Sequence, residues 1–278
     1  MTNKQLLLCT DLDRTLLPNG SQAETPGSRQ KFCELVEQEH IRLVYVTGRH
    51  QHLVEQAINN FKIPIPDFVI TDVGTRIFDL RSGEWQAWEQ WEEAIDADWN
   101  GKNYVDLHKL LGDLPDLRMQ EFSKQNKHKL SYYVPLKLKQ QEISEEIQQR
   151  LVAAQVKTNQ VWSIDEPASI GLLDILPASA GKLQSIEFLR KKLGHDTRDT
   201  LFSGDSGNDI PVLASKIPSI LVGNAAEDVR KIAIDTAQNN STQEFLYLAK
   251  NNYSAGIIEG LLHYHPEATH RKTNKFHS

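Results

Sequence analysis

The first third of the chain alternates short apolar runs with amphipathic stretches. Lys4 to Asp11, with Leu6-Leu7-Leu8-Cys9 at its centre, predicts a buried strand, and Phe32, Leu35 and Val36 then recur at helical spacing up to Glu39. Ile41 to Val46 is a second β-branched run, Leu53, Val54, Ala57 and Ile58 mark a second helix, and Pro66-Asp67 leads into a third strand, Phe68 to Thr71. Strands alternating with helices at this spacing predict parallel βαβ units in a sheet covered on both faces.

The pattern changes between about Gly83 and Gly171. Trp88, Trp91, Ile95 and Trp99 fall on one face of a predicted helix, a stripe that reads as the core of a separate module rather than as a ligand platform. Short runs follow at Leu117 to Phe122, Lys129 to Val134, Gln160 to Ile164 and Leu172 to Leu176, and a helix with Ile143, Ile147 and Leu151 divides them into two pairs. This predicts a small α+β module over residues 83–172, inserted into an α/β core made of residues 1–82 and 173–278. A continuation of the same sheet is the alternative. After Pro177 the first pattern resumes, with a helix from Gly181 to Leu193, a strand from Thr200 to Ser203, a helix from Ile210 to Ala214 and a strand from Ile220 to Val222. Ser254 is expected to cap a last helix running through Leu262, and Pro266 to Ser278 shows no periodicity.

A length of 278 residues with 39% hydrophobic and 24% charged positions suits a globular fold with a sizeable core. The net charge of -6 argues against nucleic acid and anionic membrane surfaces as partners. No apolar run approaches the ~18 residues of a membrane span, and the first run leads into Asp11 with no cleavage site after it, which argues against a signal peptide. Cys9 and Cys33 show neither disulfide nor zinc spacing and are expected to be buried free thiols in a cytoplasmic protein.

Two acidic clusters sit at predicted strand ends, where open α/β sheets bind ligands: Asp11-Leu12-Asp13-Arg14-Thr15 and Gly204-Asp205-Ser206-Gly207-Asn208-Asp209. Each alone reads equally as a polar turn. Together, four carboxylates in one crevice repel by about 4 kcal/mol per pair at 4 Å in an effective dielectric near 20, so a cation or protons must offset them. An all-oxygen donor set without His or Cys favours a hard cation, Mg2+ by default. Thr47, ending the second strand before Gly48, and Lys182, opening the helix after the module, add a hydroxyl, a backbone N–H and a positive charge suited to a phosphate. In this order the four elements fit phosphoryl transfer through an aspartyl phosphate.

These four elements resemble the ordered motifs of the haloacid dehalogenase-like phosphatases, whose core is a Rossmann-like sheet. The inserted module resembles the cap of the subgroup acting on small sugar phosphates. Within it the chain is most similar to the sucrose-phosphate phosphatase family, through Gly204 to Asp209, Val73-Gly74-Thr75, Gln125 to Tyr133, Leu173 to Pro177 and Ala255 to Ile258. The resemblance implies Asp11 as nucleophile and Asp13 as general acid and base. It implies Asp11, Asp205, Asp209 and the Asp13 carbonyl around magnesium, and Thr47, Gly48, Lys182 and Asn208 on the phosphate. Arg49, Gly74, Thr75, Gln125, Lys129 and Ser131 are then substrate-side residues, with Lys129 and Ser131 facing the sugar. The implied substrate is sucrose 6-phosphate, with mannosylfructose and glucosylglycerate phosphates as alternatives, a phosphomutase as a second reaction and the upstream sugar-phosphate synthase as a partner. A non-catalytic partner of such a synthase is the reading from another class, and it conflicts with the full set of carboxylates. One departure stands out: Ser169-Ile170-Gly171-Leu172 is nearly apolar where the family commonly carries polar or charged residues, including an Asp.

Overall fold

The computed structural model describes residues 5–137, 139–165 and 168–269. In chain order its regular elements are β1 (Leu6–Thr10), α1 (Ser28–Val36), β2 (Ile41–Val46), α2 (Gln51–Phe61), β3 (Phe68–Thr71), β4 (Arg76–Asp79), β5 (Gln86–Ala87) and α3 (Glu89–Asp96). There follow α4 (Tyr104–Leu111), β6 (Arg118–Met119), β7 (Leu130–Val134), α5 (Gln140–Ala153), β8 (Thr158–Asp165), β9 (Ile170–Pro177) and α6 (Lys182–Leu193). The chain closes with β10 (Thr200–Gly204), α7 (Ile210–Leu213), β11 (Ser219–Leu221), α8 (Glu227–Asn239), β12 (Leu246–Leu248) and α9 (Tyr253–Tyr264).

The strands form two separate sheets, β12-β11-β10-β1-β2-β3-β4-β5 and β6-β7-β9-β8, so β6 to β9 do not continue the main sheet. In the larger sheet β12 through β3 run parallel, and β4 and β5 add an antiparallel edge. Its central strands β1 and β2 are apolar at all positions but Thr10 and Arg42, because both faces of the sheet are covered. Leu6, Leu8, Leu43 and Tyr45 enter one core cluster, while Leu7, Cys9, Val44 and Val46 enter the cluster on the opposite face. Each such side chain contributes about 1.5–3 kcal/mol on burial.

Several expectations change in detail. β5, inside the stretch expected as a separate module, extends the larger sheet, and β9 stays in the smaller sheet through Pro177. The tryptophan stripe divides accordingly. Trp88 and Trp91 pack on Phe188 of α6 in the main core, and Trp99 packs in the small module with Leu107, Leu130, Tyr132 and Ile147. Ser254 does not cap α9; Asn252 holds the N-cap position and the Ser254 hydroxyl lies 2.7 Å from that of Ser28. Cys9 is buried and Cys33 only partly so, both as free thiols. Part of the expected aperiodic tail, residues 270–278, lies outside the described residues.

Register brings the site together. Thr10 of β1 pairs with Ser203 of β10 and with Tyr45 of β2, so these parallel strands end almost level. The residues that follow them therefore meet in one crevice, at the point where the chain leaves β1 with a neighbour on either side.

Candidate active site

Asp11 leaves β1 with its N–H donated to the Ser203 carbonyl at 2.9 Å, which fixes its carboxylate beside the end of β10. The turn after it is held by Leu12, a fully buried residue whose carbonyl accepts from the N–H groups of Thr15, Leu16 and Leu17. Thr15 then donates its hydroxyl to Asp205 Oδ1 at 3.0 Å. On the other strand Gly204 is required by close approach, since a Cβ there would stand 2.5 Å from Asp209 Cγ. Asp209 Oδ2 accepts from the backbone N–H groups of Asp205 and Ser206, each at 3.1 Å.

The outcome is a buried cluster in which carboxylate oxygens of Asp11, Asp205 and Asp209 lie within 4.8 Å of one another. Lys182, at the start of α6, sends its Nζ to Asp11 Oδ1 at 3.0 Å and to Asp209 Oδ1 at 2.6 Å. Burial pushes the Asp11 carboxyl well above the usual range, with Asp209 and Asp205 adding to it against the pull of Lys182. Burial and Asp209 push Asp205 up to about 7, despite Arg14 nearby. Burial opposes the charge of Lys182, yet Asp11 and Asp209 raise its affinity for the proton. Fully ionised, these three buried carboxylates exceed the charge of Lys182 and Arg14 beside them, and their all-oxygen chemistry fits a hard divalent cation.

Asp13 projects toward a different partner. Arg49 grips it with two hydrogen bonds, Nε to Oδ2 at 2.7 Å and Nη2 to Oδ1 at 2.6 Å, and Asn19 adds a third to Oδ1 at 2.6 Å. Burial alone would raise the Asp13 carboxyl; Arg49 and Asn19 outweigh it and hold it below the usual carboxylate range. Thr47 is buried at the end of β2, its Oγ1 accepting from the Arg49 N–H at 3.2 Å, and Gly48 beside it is exposed.

The turn after β3 ties these groups to the small module. Asp72, Val73 and Gly74 take successive φ values of 53, 59 and 92°, a left-handed course that is costly above all for the β-branched Val73. Hydrogen bonds from Asp72 N to Arg49 O at 3.0 Å and from Val73 N to Thr47 O at 3.1 Å hold it there. A Cβ on Gly74 would stand 2.4 Å from the Gly181 carbonyl, so only glycine lets this turn lie against the start of α6. Thr75 accepts a bond from Asn126 Nδ2 of the module at 3.0 Å.

The expected sugar-side residues are engaged with protein in this state. Lys129 pairs with Asp72 at 3.2 Å, the Ser131 hydroxyl bonds Asp174, and Gln125 uses its amide to clasp the backbone of Ser131 and Gln120. Lys129 and Ser131 point away from Leu130 and Tyr132, which fill the module core. An open crevice of about 340 Å³ lies instead between β8 and the main core, lined by Val73, Asn159, Gln160, Val161, Trp162, Lys182, Gln184 and Asn208 among others. Lys182 and Asn208 had been singled out from the sequence. The β8 residues had not, because nothing in an edge strand marks it as facing a crevice; nor had Asp72, which is buried against Lys129 beside it.

The sucrose-6F-phosphate phosphohydrolase family matches residues 4–265 of the chain. A HAD-like hydrolase of Nitrosococcus oceani is 46% identical over 271 residues, covering 95% of this chain and 73% of its own length. Sucrose-phosphatase 1 of Nicotiana tabacum is 29% identical over 94% of this chain, which spans 59% of that longer relative. The solved structure of the sucrose-phosphatase from Synechocystis sp. PCC6803, in complex with sucrose and phosphate, superposes with a TM-score of 0.78 at 22% identity, covering 94% of this chain and 98% of that one. The Rossmann-like core and the ordered acidic motifs thus have one explanation: the chain belongs to the sucrose-6F-phosphate phosphohydrolase family, a phosphatase family with the haloacid dehalogenase-like fold.

Proposed function

We propose that this chain is a Mg2+-dependent phosphatase acting on a glycosyl phosphate, with sucrose 6-phosphate as the first substrate to test, through an aspartyl phosphate on Asp11. The observation that supports it is the buried Asp11, Asp205 and Asp209 cluster, in which Lys182 bridges Asp11 and Asp209. Asp11, Asp205 and Asp209 would hold the ion, whose chemistry would be to offset charge on the transferring phosphoryl group. Thr47, Gly48, Asn208 and Lys182 would bind the phosphate oxygens, Lys182 also holding Asp11 in place for in-line attack on phosphorus. Asp13 would protonate the leaving sugar oxygen and then take a proton from the water that releases phosphate. In the structure Arg49 and Asn19 keep Asp13 ionised, which is the form needed in the second half-reaction. For the first half-reaction a proton must reach Asp13 as substrate arrives, and Arg49 would then turn from that carboxylate to the incoming phosphate.

A second reading keeps the chemistry and changes the sugar. The nearly apolar Ser169-Ile170-Gly171-Leu172 departs from the polar or charged residues that the family resemblance leads one to expect, and Leu172 lies in β9 opposite Ser163 of β8, on the strand pair bordering the crevice. This favours a glycosyl phosphate other than sucrose 6-phosphate, such as that of mannosylfructose. Phosphate release measured across sucrose, mannosylfructose, glucosylglycerate and hexose phosphates, with an aryl phosphate as a minimal substrate, separates the readings. Asp11→Asn should abolish release from all of them while leaving the fold intact. Residual turnover above a small fraction of wild type would remove Asp11 as nucleophile, and an isomerised product without free phosphate would make the protein a mutase.

A further inference from the structure

Asp72 and Lys129 form a buried ion pair where the inserted module meets the phosphate-binding loops. Nζ and Oδ1 are 3.2 Å apart, and the two side chains are 4% and 3% exposed for Lys129 and Asp72. Asp72 Oδ2 accepts the Thr71 hydroxyl at 2.9 Å, and its backbone N–H is bonded to the Arg49 carbonyl at 3.0 Å. The carboxylate is therefore anchored from the core side, directly after β3 and next to Val73, which lines the crevice and donates its N–H to the Thr47 carbonyl at 3.1 Å. Lys129 comes from the module side, on the face opposite Leu130 and Tyr132.

A buried lysine beside a phosphate-binding crevice would, if unpaired, attract any second negative charge on a ligand. Asp72 cancels that attraction, and its own carboxylate opposes an anionic substituent brought near it. The pair keeps hydrogen-bonding capacity for neutral hydroxyls while presenting no net charge. From this geometry we infer that Asp72 is a specificity-determining residue that restricts the crevice to glycosyl phosphates whose non-phosphate part is uncharged. The inference rests on the phosphatase reading above and names the substrate class for the same site.

The test compares kcat/KM for sucrose 6-phosphate, neutral apart from its phosphate, with that for a phosphorylated glucosylglycerate, which adds a carboxylate. Asp72→Asn keeps the side-chain shape and unmasks Lys129, so the neutral-over-acidic ratio should fall at least 10-fold, chiefly through a gain on the carboxylate-bearing substrate. Lys129→Gln leaves Asp72 unopposed and should move the ratio the other way, which keeps the inference exposed if the first variant folds poorly. A ratio unchanged in both variants, or a parallel fall on both substrates, would show the pair to be merely structural and overturn the inference. Wild-type protein that hydrolyses the carboxylate-bearing substrate as fast as the neutral one also overturns it while leaving the phosphatase reading standing. Absence of phosphate release from every glycosyl and aryl phosphate would overturn both.

Discussion

Arg49 holds Asp13 through both Nε and Nη2, at 2.7 and 2.6 Å, so the carboxylate proposed as acid and base is paired with a guanidinium before substrate arrives. A bidentate pair of this kind stabilises the ionised form more than a single contact does. Burial raises the Asp13 carboxyl while Arg49, with Asn19, lowers it by more, so removing Arg49 moves it upward. Arg49→Ala should therefore move the acidic limb of the pH–kcat profile to higher pH, where the deprotonated base is lost earlier as pH falls. An unmoved limb, with activity lowered evenly at all pH values, would assign Arg49 to phosphate binding alone.

Lys182 is almost fully buried between Asp11 and Asp209. Replacing it with methionine fills the same space but leaves two carboxylates without their cation. Breaking a buried pair in this way costs about 3–5 kcal/mol. Lys182→Met should thus lower the unfolding free energy of metal-free protein by a few kcal/mol and abolish phosphate release. Chemical denaturation of both proteins in chelator provides the comparison, and equal stability would mean that Lys182 contributes no net electrostatic support.

Gly74 and Gly83 separate steric fit from backbone strain. Both have positive φ, 92° and 85°, but a Cβ at Gly83 meets nothing within 4 Å whereas one at Gly74 lies 2.4 Å from Gly181. Gly83→Ala should cost on the order of 1 kcal/mol, the ordinary penalty for a left-handed alanine. Gly74→Ala should cost more and also reduce kcat, because the turn can yield only by pushing Gly181 and the adjacent Lys182. Equal losses of stability in the two variants, with activity kept in both, would show that the Gly74 contact does not position Lys182.

Which parts were legible follows from how local each signal is. Asp11, Asp13, Asp205 and Asp209 lie in compact motifs just beyond apolar runs, and parallel strands ending level turn that linear pattern directly into a shared crevice. Helical stripes revealed burial but not its partner: Trp91 and Trp99 share a stripe, yet one packs on Phe188 of the core and the other inside the module. α4 passed unnoticed although Asn103 and Asp106 form a reciprocal capping box at its start. Ser254 misled because a serine near a helix start is a favoured cap, while here its hydroxyl meets Ser28 across α1 and α9. The Asp72–Lys129 pair was out of reach, since it depends on how the module sits over the turn after β3.

The acidic cluster also sets how stability depends on pH and metal. Asp205 has its carboxyl pushed up to about 7 by burial and by Asp209, well above the ~4 of an unfolded aspartate. Between those values the folded, metal-free protein binds more protons than the unfolded chain, so the slope of unfolding free energy against pH is negative for this group. Its stabilising effect is complete below about pH 4 and is lost as pH rises through about 7. Asp11, raised in the same direction by burial and by its carboxylate neighbours, acts with the same sign. In chelator the melting temperature should therefore decline between pH 6 and pH 8 relative to a variant carrying Asp205→Asn, whose neutral amide removes that contribution. A divalent cation held by Asp11, Asp205 and Asp209 favours their ionised forms, and binding to the folded state alone stabilises it by mass action. Magnesium should accordingly raise the melting temperature of wild type more at pH 8 than at pH 6, and phosphate release should disappear in chelator and return with the ion. Calorimetric melts at the two pH values decide the matter: a magnesium effect of equal size at both, or one retained in Asp205→Asn, would place the ion away from these carboxylates.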